Sequence, residues 1–407
     1  MPDTLPFEGI KIADFSWVGV GPITTKYLAD HGATVVRVET TSPLDILRVA
    51  GPFKDGIPGP DRSQFYADYN SSKYGLTLDL KNPAALDVAH RLITWADVLT
   101  ESFTPGTVDS LGIGYETVRS INPSIIMAST CLMGQTGPAA SFAGFGFHAG
   151  SIAGYYEITG WPDLPPDGPW TAYTDTVSPR FLAAILMAAL DHRRRTGEWQ
   201  FIDASQLEMS LHFLSPQLID YNVSGRSVTR NGNRSAFMAP HGAFPCQGDD
   251  QWCTVAVEND GQWDGLRRAM GEPDWAQDER FKDAEGRLAN QDEIETKLGE
   301  WTQTLPPKVV METLNGEGVP AGVVQRSSDL QLDPQLAHRG FFRNLEHQEM
   351  GTIPYPGHQF HISGYDSGPR SAAPVLGQHN DEVLRDILGM TEDEITEAII
   401  GGALGQG

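Results

Sequence analysis

The sequence has few cysteines and no long apolar run. Its three cysteines, Cys131, Cys246 and Cys253, show neither CxxC spacing nor a nearby histidine pair, which argues against a disulfide framework and against a zinc site. No stretch approaches the roughly 18 apolar residues that a membrane helix needs. The beginning, MPDTLPFEGIKIADF, lacks a basic region followed by an apolar one. We therefore expect reduced thiols, no metal, no membrane insertion and a cytoplasmic location.

Positive charge is also scarce. The chain carries 29 lysines and arginines against 53 aspartates and glutamates, a formal net charge of -24. Binding to a nucleic acid backbone needs a clustered excess of basic residues, so we expect no nucleic acid partner. An acidic protein still binds an anionic cofactor when a few cations and backbone amides converge in one cleft. At 407 residues, 40% of them hydrophobic, the chain has room for two folded domains.

The first ~150 residues alternate between strand patterns and helix patterns. The strand-like IKIADF is followed by the turn WVGVGP, the helix-like ITTKYLADHG and the strand-like ATVVRVE, a unit that opens a doubly wound parallel sheet. Further strand patterns follow in LTLDLK, DVLTESF and PSIIMASTC. This part of the chain is therefore predicted to be α/β and Rossmann-like.

The rest of the chain predicts one long helix and a smaller domain. A helix is expected from Pro179 through Arg195, with Ser178 as its N-cap. From about His241, the segment HGAFPCQGDDQWCTVAVEND is typical of a hairpin, and amphipathic helices and the strand-like GVPAGVV follow. After Asp333 we expect irregular structure, ending in the helix DEVLRDIL. The smaller domain is therefore α+β.

Common nucleotide-binding and hydrolase motifs are missing. There is no GxxxxGK[ST], GxSxG or HExxH, and WVGVGP lacks dinucleotide-binding spacing. WVGVGP is either a turn that lets a ligand approach the backbone or simply a tight turn. His148 is a candidate base or a structural histidine. Asp175 follows a Pro/Gly loop and precedes the predicted helix, so it is either a reactive carboxylate or a turn aspartate that accepts backbone N–H groups.

In order and spacing, segments along nearly the whole chain resemble the class III CoA-transferase family, which includes formyl-CoA transferase, the carnitine CoA-transferase and α-methylacyl-CoA racemase. These segments are LPFEGIKIADFSWVGVGP, LADHGATVVRVE, NSSKYGLTLDLK, ADVLTESFTPG, LGIGYE, INPSIIMAS, GQTGP, HRRRTGEWQFIDAS, HGAFPC, GVPAGVV and PVLGQHNDEVL.

The resemblance implies an architecture and a substrate class. It implies a large Rossmann-like domain built from both chain ends, residues 1–224 and 331–407, and a small α+β domain of residues 225–330. Two such chains are expected to interlock as a homodimer. The implied substrates are an acyl-CoA thioester and a carboxylic acid, with no tightly bound cofactor.

The resemblance also implies a mechanism. The family's nucleophilic aspartate matches Asp175, which would attack the donor thioester to give a mixed anhydride and free CoA thiolate. The thiolate would then form an aspartyl-CoA thioester, from which the acceptor acid takes over the CoA. Covalent catalysis of this kind divides one difficult exchange into easier steps.

By position, the family's CoA contacts fall on seven residues of this chain. Lys81 is the expected phosphate contact, because an ammonium binds phosphate as a point charge. Leu78 and Phe103 are expected to line the adenine. The full set is Val18, Gly19, Thr40, Leu78, Lys81, Ser102 and Phe103.

The chain departs from the family pattern at several of its positions. Gly19 replaces a glutamine and Gly146 an acidic residue of formyl-CoA transferase, which argues against formyl or oxalyl specificity. Thr40 replaces an arginine that binds CoA in several relatives, and Ser102 replaces an asparagine. Phosphate contacts are therefore expected from elsewhere, with Arg37, Arg48 and Lys73 as the candidates.

Two alternatives to a CoA-transferase remain open. A racemase or isomerase would pair Asp175 with a histidine, but this chain has Phe145 at the matching position, and His148 lies three residues later. The second alternative is a non-catalytic subunit of a heteromer. The retained Asp175 argues against it. For a transferase, an apolar or aromatic acid is suggested by the aromatic residues Tyr155, Trp161, Trp170 and Tyr173.

Overall fold

The computed structural model describes residues 4–405, which divide into two compact units. The first unit comprises residues up to Tyr155, Pro169–Gly225 and residues from Gln335 onward. The second comprises Tyr156–Gly168 and Arg226–Pro334. The sequence analysis assigned residues 156–168 to the large domain, whereas here they group with the smaller unit.

Within the described residues, the first unit is built on a six-stranded sheet in the order β3-β2-β1-β4-β5-β6. All neighbouring strands are parallel, which confirms the predicted parallel α/β fold. The order reverses between β1 and β4, as in doubly wound sheets. The strands are β1 (Lys11–Asp14), β2 (Thr34–Glu39), β3 (Tyr74–Thr77), β4 (Val98–Glu101), β5 (Ile126–Cys131) and β6 (Gln200–Ser205).

Both faces of the sheet are covered, because successive side chains of a strand point to opposite faces. Ala13 faces the cluster that includes Leu92 of α4, while Ile12 faces the cluster that includes Leu182 of α9. The helices up to residue 224 are α1 (Val20–Asp30), α2 (Ile46–Val49), α3 (Gln64–Tyr69), α4 (Pro83–Trp95), α5 (Thr107–Ser110), α6 (Tyr115–Ile121), α7 (Gly146–Ile152), α8 (Tyr155–Ile158), α9 (Tyr173–Thr196), α10 (Gln206–Leu211) and α11 (Ser215–Ser224).

The long helix α9 begins at Tyr173, so the predicted start at Pro179 with Ser178 as N-cap was wrong. A Ser-Pro pair is typical of a helix start, but here both residues are buried inside the helix. Contacts with α7 and α10 hold the preceding turn in helical form. Asp175 consequently lies in the first turn of α9, and the carbonyl oxygen of Asp175 receives no helical bond from Pro179, which has no N–H.

The second unit contains an antiparallel sheet in the order β7-β8-β9. Its first pair is the hairpin predicted from HGAFPCQGDDQWCTVAVEND. The elements are β7 (His241–Pro245), β8 (Trp252–Ala256), β9 (Ala321–Val323), α12 (Asp260–Ala269), α13 (Ala284–Ala289), α14 (Gln291–Thr302), α15 (Pro307–Gly316) and α16 (Ser327–Gln331).

After Asp333, residues 357–379 contain neither helix nor strand, as predicted, but residues 342–356 are regular, which corrects the sequence analysis. These residues form an antiparallel hairpin with its turn at residues 348–350, and its second strand begins at Gly351, where φ is +64°. Three hydrophobic side chains of this hairpin, Leu345, Ile353 and Tyr355, pack with Leu47 of the first unit. The elements are α17 (Pro334–His338), β10 (Phe342–His347), β11 (Gly351–Pro356), α18 (Asn380–Glu382), a π-helical segment (Val383–Ile387) and α19 (Glu392–Ile400).

Candidate active site

The loops that follow β1 and β4 meet where the strand order of the sheet reverses. They bound a cavity of about 180 Å³ that is lined by Val18, Gly19, Ser102 and Asp175. In open α/β sheets, ligands bind outside the carboxyl ends of the strands at such a point. Drug-sized ligands fill pockets of roughly 300–1,000 Å³. The cavity is therefore sized for the reacting part of a larger ligand.

Asp175 presents its carboxylate to this cavity from the first turn of α9. The side chain accepts hydrogen bonds from Gln206 Nε2 and from the backbone N–H of Gly146. Burial raises the pKa of the carboxyl from 3.8 to about 6, while the two hydrogen bonds act in the opposite direction. Asp175 is thus held in one orientation and is ionised at neutral pH, and within residues 4–405 no lysine or arginine forms an ion pair with it.

Gln206 joins three helices around this carboxylate. Besides Asp175, its Nε2 contacts Thr174 Oγ1 at 3.0 Å, and Thr174 Oγ1 donates to the carbonyl oxygen of Gly146 at 2.8 Å. Gln206 is 3% exposed, so its amide cannot exchange these partners freely with water. The sequence analysis missed Gln206, because nothing in QFIDASQLEMS distinguishes an amide that faces a cleft from one that faces solvent.

Two glycines approach the Asp175 side chain so closely that a larger residue at either position would force Asp175 to move. A Cβ on Gly146 would lie 2.7 Å from Asp175 Cγ, and a Cβ on Gly19 would lie 2.9 Å from Asp175 Cβ. Both distances are shorter than van der Waals contact. The two positions at which the chain departs from the formyl-CoA transferase pattern therefore both lie directly against the carboxylate.

The turn after β1 is fixed by hydrogen bonds on both sides. Trp17 N–H donates to Ser102 Oγ at 2.8 Å, and Ser102 Oγ donates to the carbonyl oxygen of Trp17 at 3.0 Å. Val18 N–H donates to Asp45 Oδ2 at 3.2 Å. Val18 has φ of +65°, a left-handed conformation that β-branched residues rarely adopt. Such strain persists only when the surroundings impose it, as they do here.

Arg37 and Lys73 are not available for phosphate, which corrects the sequence analysis. Both side chains are fully buried. Arg37 pairs with Asp45 and donates to the carbonyl oxygen of Ser16 at 2.7 Å. Lys73 Nζ lies 3.0 Å from Asp14 Oδ2, and although burial by itself raises the pKa of Asp14, Lys73 and Arg37 lower it to about 2. These cations neutralise internal carboxylates.

Arg48 is committed in the same way. Its guanidinium contacts Glu39 at 2.7 Å and Asp61 at 2.7 Å and is fully buried, with the ring of Tyr66 3.7 Å away. The pKa of Glu39 would rise through burial, but Arg37 and Arg48 lower it to about 2. Arg48 therefore holds β2 to the segment around Asp61 and does not face a ligand.

The remaining predicted CoA contacts differ in how accessible they are. The side chain of Leu78 is 0% exposed within the core, so only its backbone is available to a ligand, and its contact with adenine stays a prediction. Phe103 is half-buried, and its ring lies 5.8 Å from that of Trp17. Thr40 is half-buried and its hydroxyl donates to the carbonyl oxygen of Pro43, whereas Lys81 is exposed. Thr40 and Lys81 do not line the cavity that holds Asp175.

His148 accepts a hydrogen bond at the N-terminus of α7 and does not contact Asp175. Its Nδ1 accepts the N–H of Phe145 at 3.1 Å, and its ring lies 4.1 Å from that of Phe147. Phe145, and not His148, lines the cavity beside Asp175. The arrangement therefore does not pair a histidine with the carboxylate.

Two further features bear on cofactors and location. Among residues 4–405, no group of three or more His, Cys, Asp or Glu side chains is arranged to hold a metal ion. In the same range, none of the helices combines the length and apolarity required to cross a membrane. Cys131, Cys246 and Cys253 are free thiols.

Known proteins resemble this chain over most of its length. The sequence profile of CoA-transferase family III matches residues 7–380. The succinyl-CoA–D-citramalate CoA-transferase of Chloroflexus aurantiacus is 29% identical over 390 residues, which are 96% of each chain. The succinate–glutarate CoA-transferase of Agrobacterium fabrum is 31% identical over 384 residues, 94% of this chain and 96% of that one.

A solved structure shares the fold. A CAIB/BAIF family protein from Brucella suis superposes with a TM-score of 0.87 and 29% identity, covering 94% of this chain and 100% of that one. The resemblance that the sequence motifs carry is thus confirmed by profile, by curated relatives and by fold. The chain belongs to CoA-transferase family III and is an enzyme that transfers coenzyme A.

Proposed function

We propose that this enzyme moves CoA from an acyl-CoA to a dicarboxylic acid with Asp175 as its nucleophile. The observation that carries the proposal is the Asp175 carboxylate itself, oriented by Gln206 and Gly146 at the wall of the cavity, with a pKa of about 6. A carboxylate whose charge is destabilised by burial is a better nucleophile than one stabilised by a salt bridge.

The proposed reaction proceeds in successive steps, and in each step one nucleophile attacks one carbonyl carbon. An Asp175 oxygen attacks the donor thioester, and CoA leaves as a thiolate, which gives a mixed anhydride. The thiolate attacks the Asp175 carbonyl, releasing the donor acid and leaving an aspartyl-CoA thioester. The acceptor carboxylate attacks that thioester, which expels the CoA thiolate and gives a second mixed anhydride between the acceptor and Asp175. The thiolate then attacks the acceptor carbonyl of this anhydride, which forms the product thioester and releases the Asp175 carboxylate.

Hydrogen-bond donors stay near the reacting oxygens through these steps. Gln206 Nε2 and the N–H of Gly146 contact Asp175 while it is ionised, and the same donors can stabilise negative charge that develops on its carbonyl oxygen in each tetrahedral intermediate. Because all steps use carboxylates and a thiolate, we propose that the enzyme needs neither a metal nor a tightly bound cofactor.

The CoA is proposed to enter along the loops after β1 and β4. Val18, Gly19 and Ser102 line the cavity, and Phe103 packs against Trp17 beside it. Lys81 has an exposed ammonium, which suits it to a CoA phosphate, and Thr40 remains a proposed contact at the end of β2. Leu78 is proposed to contribute through its backbone only.

We propose a dicarboxylic acid as the acceptor, in place of the apolar or aromatic acid that the sequence suggested. Tyr155 is buried and lies 5.4 Å from Tyr173, while Trp170 is 92% exposed, and none of the three lines the cavity at Asp175. Relatives named for succinate, citramalate and glutarate support a short dicarboxylic acid.

The chain is further proposed to be a cytoplasmic homodimer. Helix α11 has no buried residue, and it exposes Leu218, Ile219, Tyr221 and Val223. Several large apolar side chains exposed on one helix are typical of an interface, and a second copy of the chain would cover them. The interlocked form and the domain bounds 1–224, 331–407 and 225–330 are proposed from the family resemblance, and the free thiols support a reducing compartment.

Transfer by an Asp175→Asn variant tests the proposal. We expect succinyl-CoA:glutarate exchange to fall by at least ~10³-fold, because an amide cannot attack the thioester. Asp191→Asn, near the other end of the same helix on the surface, is the control and should keep wild-type turnover. Wild-type rates in Asp175→Asn would rule out the aspartyl route, whereas equal losses in both variants would point to a damaged fold.

A further inference from the structure

A second, larger cavity lies in the same unit as Asp175. It has a volume of about 480 Å³ and lies between α1, α3, α9 and residues 356–360. Thr176, which follows Asp175, is part of its wall, as are Tyr69 and Arg180. The cavity therefore approaches the reacting end of α9 and is large enough for a small organic acid.

Arg180 is the cation of this cavity that has no partner. It is exposed, and among residues 4–405 its guanidinium makes neither an ion pair nor a hydrogen bond. Three further arginines lie at the C-terminal end of α9, and all of them are paired with aspartates: Arg193 with Asp97, and Arg194 and Arg195 with Asp191. A planar guanidinium with five donors is suited to a carboxylate.

Tyr69 links this arginine to Asp175. Its hydroxyl has no hydrogen-bond partner among the described residues. The pKa of Tyr69 is raised by burial first and then by the charges of Asp68 and Asp175, while Arg180 acts in the opposite direction. Both Asp175 and Arg180 therefore lie within electrostatic reach of the same hydroxyl, and this end of the cavity presents two unused donors.

The other end of the cavity holds one cation, Lys26, and two acidic residues, Asp30 and Asp68. Lys26 Nζ contacts Asp30 at 2.5 Å, and the charges that act on Asp68 come from Lys26 and Asp30. Within the described part of the chain, no acidic side chain forms an ion pair with Arg180. An anionic group that enters the cavity is consequently attracted to the end formed by Arg180 and Tyr69.

We propose that this cavity binds the dicarboxylic acid and that Arg180 pairs with the carboxylate that does not react. The inference rests on the proposed function and assigns the second carboxylate a site. Asp175 and Arg180 are about 7.5 Å apart along the axis of α9 and about 140° apart around it, arginine side chains on a helix lean back toward its N-terminus, and Tyr69 lies within electrostatic reach of both residues. A diacid with a short carbon chain spans from Arg180 to the cavity at Asp175, and Tyr69 donates to the same acid.

The test compares acids that differ by one carboxylate. Succinate and glutarate are paired with butyrate and valerate as acceptors, in the wild type and in Arg180→Gln, Arg180→Lys and, as a surface control, Arg194→Gln. We expect Arg180→Gln to raise KM for the diacids at least about tenfold, because a charged hydrogen-bonded pair is lost. KM for the monoacids should not change, Arg180→Lys should recover part of the loss, and Arg194→Gln should behave as the wild type.

Several other results would decide against this site. An equal change for diacids and monoacids, or no change, would overturn the assignment. A rise in KM for the acyl-CoA would place Arg180 on a CoA phosphate and overturn it too. Calorimetric binding of glutarate to the wild type and to Arg180→Gln separates this inference from the proposed function: weaker binding by the variant supports the site even if no transfer is seen, and equal binding refutes it.

Discussion

At the scale of single residues, the proposed mechanism makes the first chemical step depend on the ionisation of Asp175. Its pKa is about 6 because the carboxylate is buried, and only the ionised form attacks a thioester. We expect the rate of acylation in a single turnover to be constant above pH 7 and to fall about tenfold per pH unit well below 6. Rapid-quench measurements from pH 4.5 to 8 would show this, and a rate that is independent of pH through 6 would contradict it.

The same pKa has a consequence for stability. Because it is raised above the ordinary value of 3.8, the folded protein binds this proton more tightly than the unfolded chain does. The ionised carboxylate therefore lowers stability above pH 6, and that loss is recovered as the pH falls through 6 toward 4. Asp175→Asn should raise Tm at pH 8 and should have little effect at pH 4.

Gly146 offers a second test at this scale. The Cβ of Gly146→Ala would lie 2.7 Å from both Asp175 Cγ and Thr174 Oγ1. The carboxylate must move or lose its bond to Gln206, and a misplacement of about 1 Å can cost about 10²-fold in rate. We expect kcat to fall by at least that factor. Gly316→Ala is the control, since a Cβ there meets no atom within 4 Å, and similar losses in both variants would refute the explanation.

At the scale of elements, buried ion pairs connect β1, β2 and α2 around the turn at Val18. Arg37 lies at their centre, with Asp45 as its direct partner. Removal of one member of a buried pair leaves its partners uncompensated and costs about 3–5 kcal/mol. We expect Arg37→Leu to lower the free energy of unfolding by that amount in urea denaturation. The exposed Arg194→Leu should cost less than ~0.5 kcal/mol, and equal effects would contradict this account.

The elements also show what the sequence could and could not predict. Hydrophobic periodicity identified the strands of the parallel sheet, because burial on both faces leaves a local pattern. It missed the hairpin after Asp333, whose apolar residues pack on a distant segment, and it placed the start of α9 six residues late. Arg37 and Arg48 were predicted as candidate phosphate contacts, since their buried carboxylate partners are recognisable only in the folded chain.

The sequence likewise predicted one part of the candidate site and missed another. Family resemblance identified Asp175, Val18, Gly19 and Ser102, which the fold brings to one cavity. No local pattern marked Gln206, whose amide reaches Asp175 only because β6 and α10 pack beside α9.

At the scale of the whole molecule, the net charge of -24 contrasts with the apolar surface of α11. Ile219 is 60% exposed there. If a second copy covers it, Ile219→Asp should give a monomer at concentrations where the wild type is a dimer, because a charge would be buried without a partner. Light scattering after size-exclusion chromatography measures this. Ile399→Asp on α19, 54% exposed, is the control, and a dimeric Ile219→Asp would show that α11 is not the interface.

The covalent intermediate on Asp175 is the central claim, and trapping tests it most directly. The purified enzyme is incubated with succinyl-CoA, treated with hydroxylamine, digested and analysed by peptide mass spectrometry. The account predicts a hydroxamate on Asp175 that appears only when the thioester is present. An unmodified Asp175 in enzyme that still turns over, or a hydroxamate on another carboxylate, would contradict it.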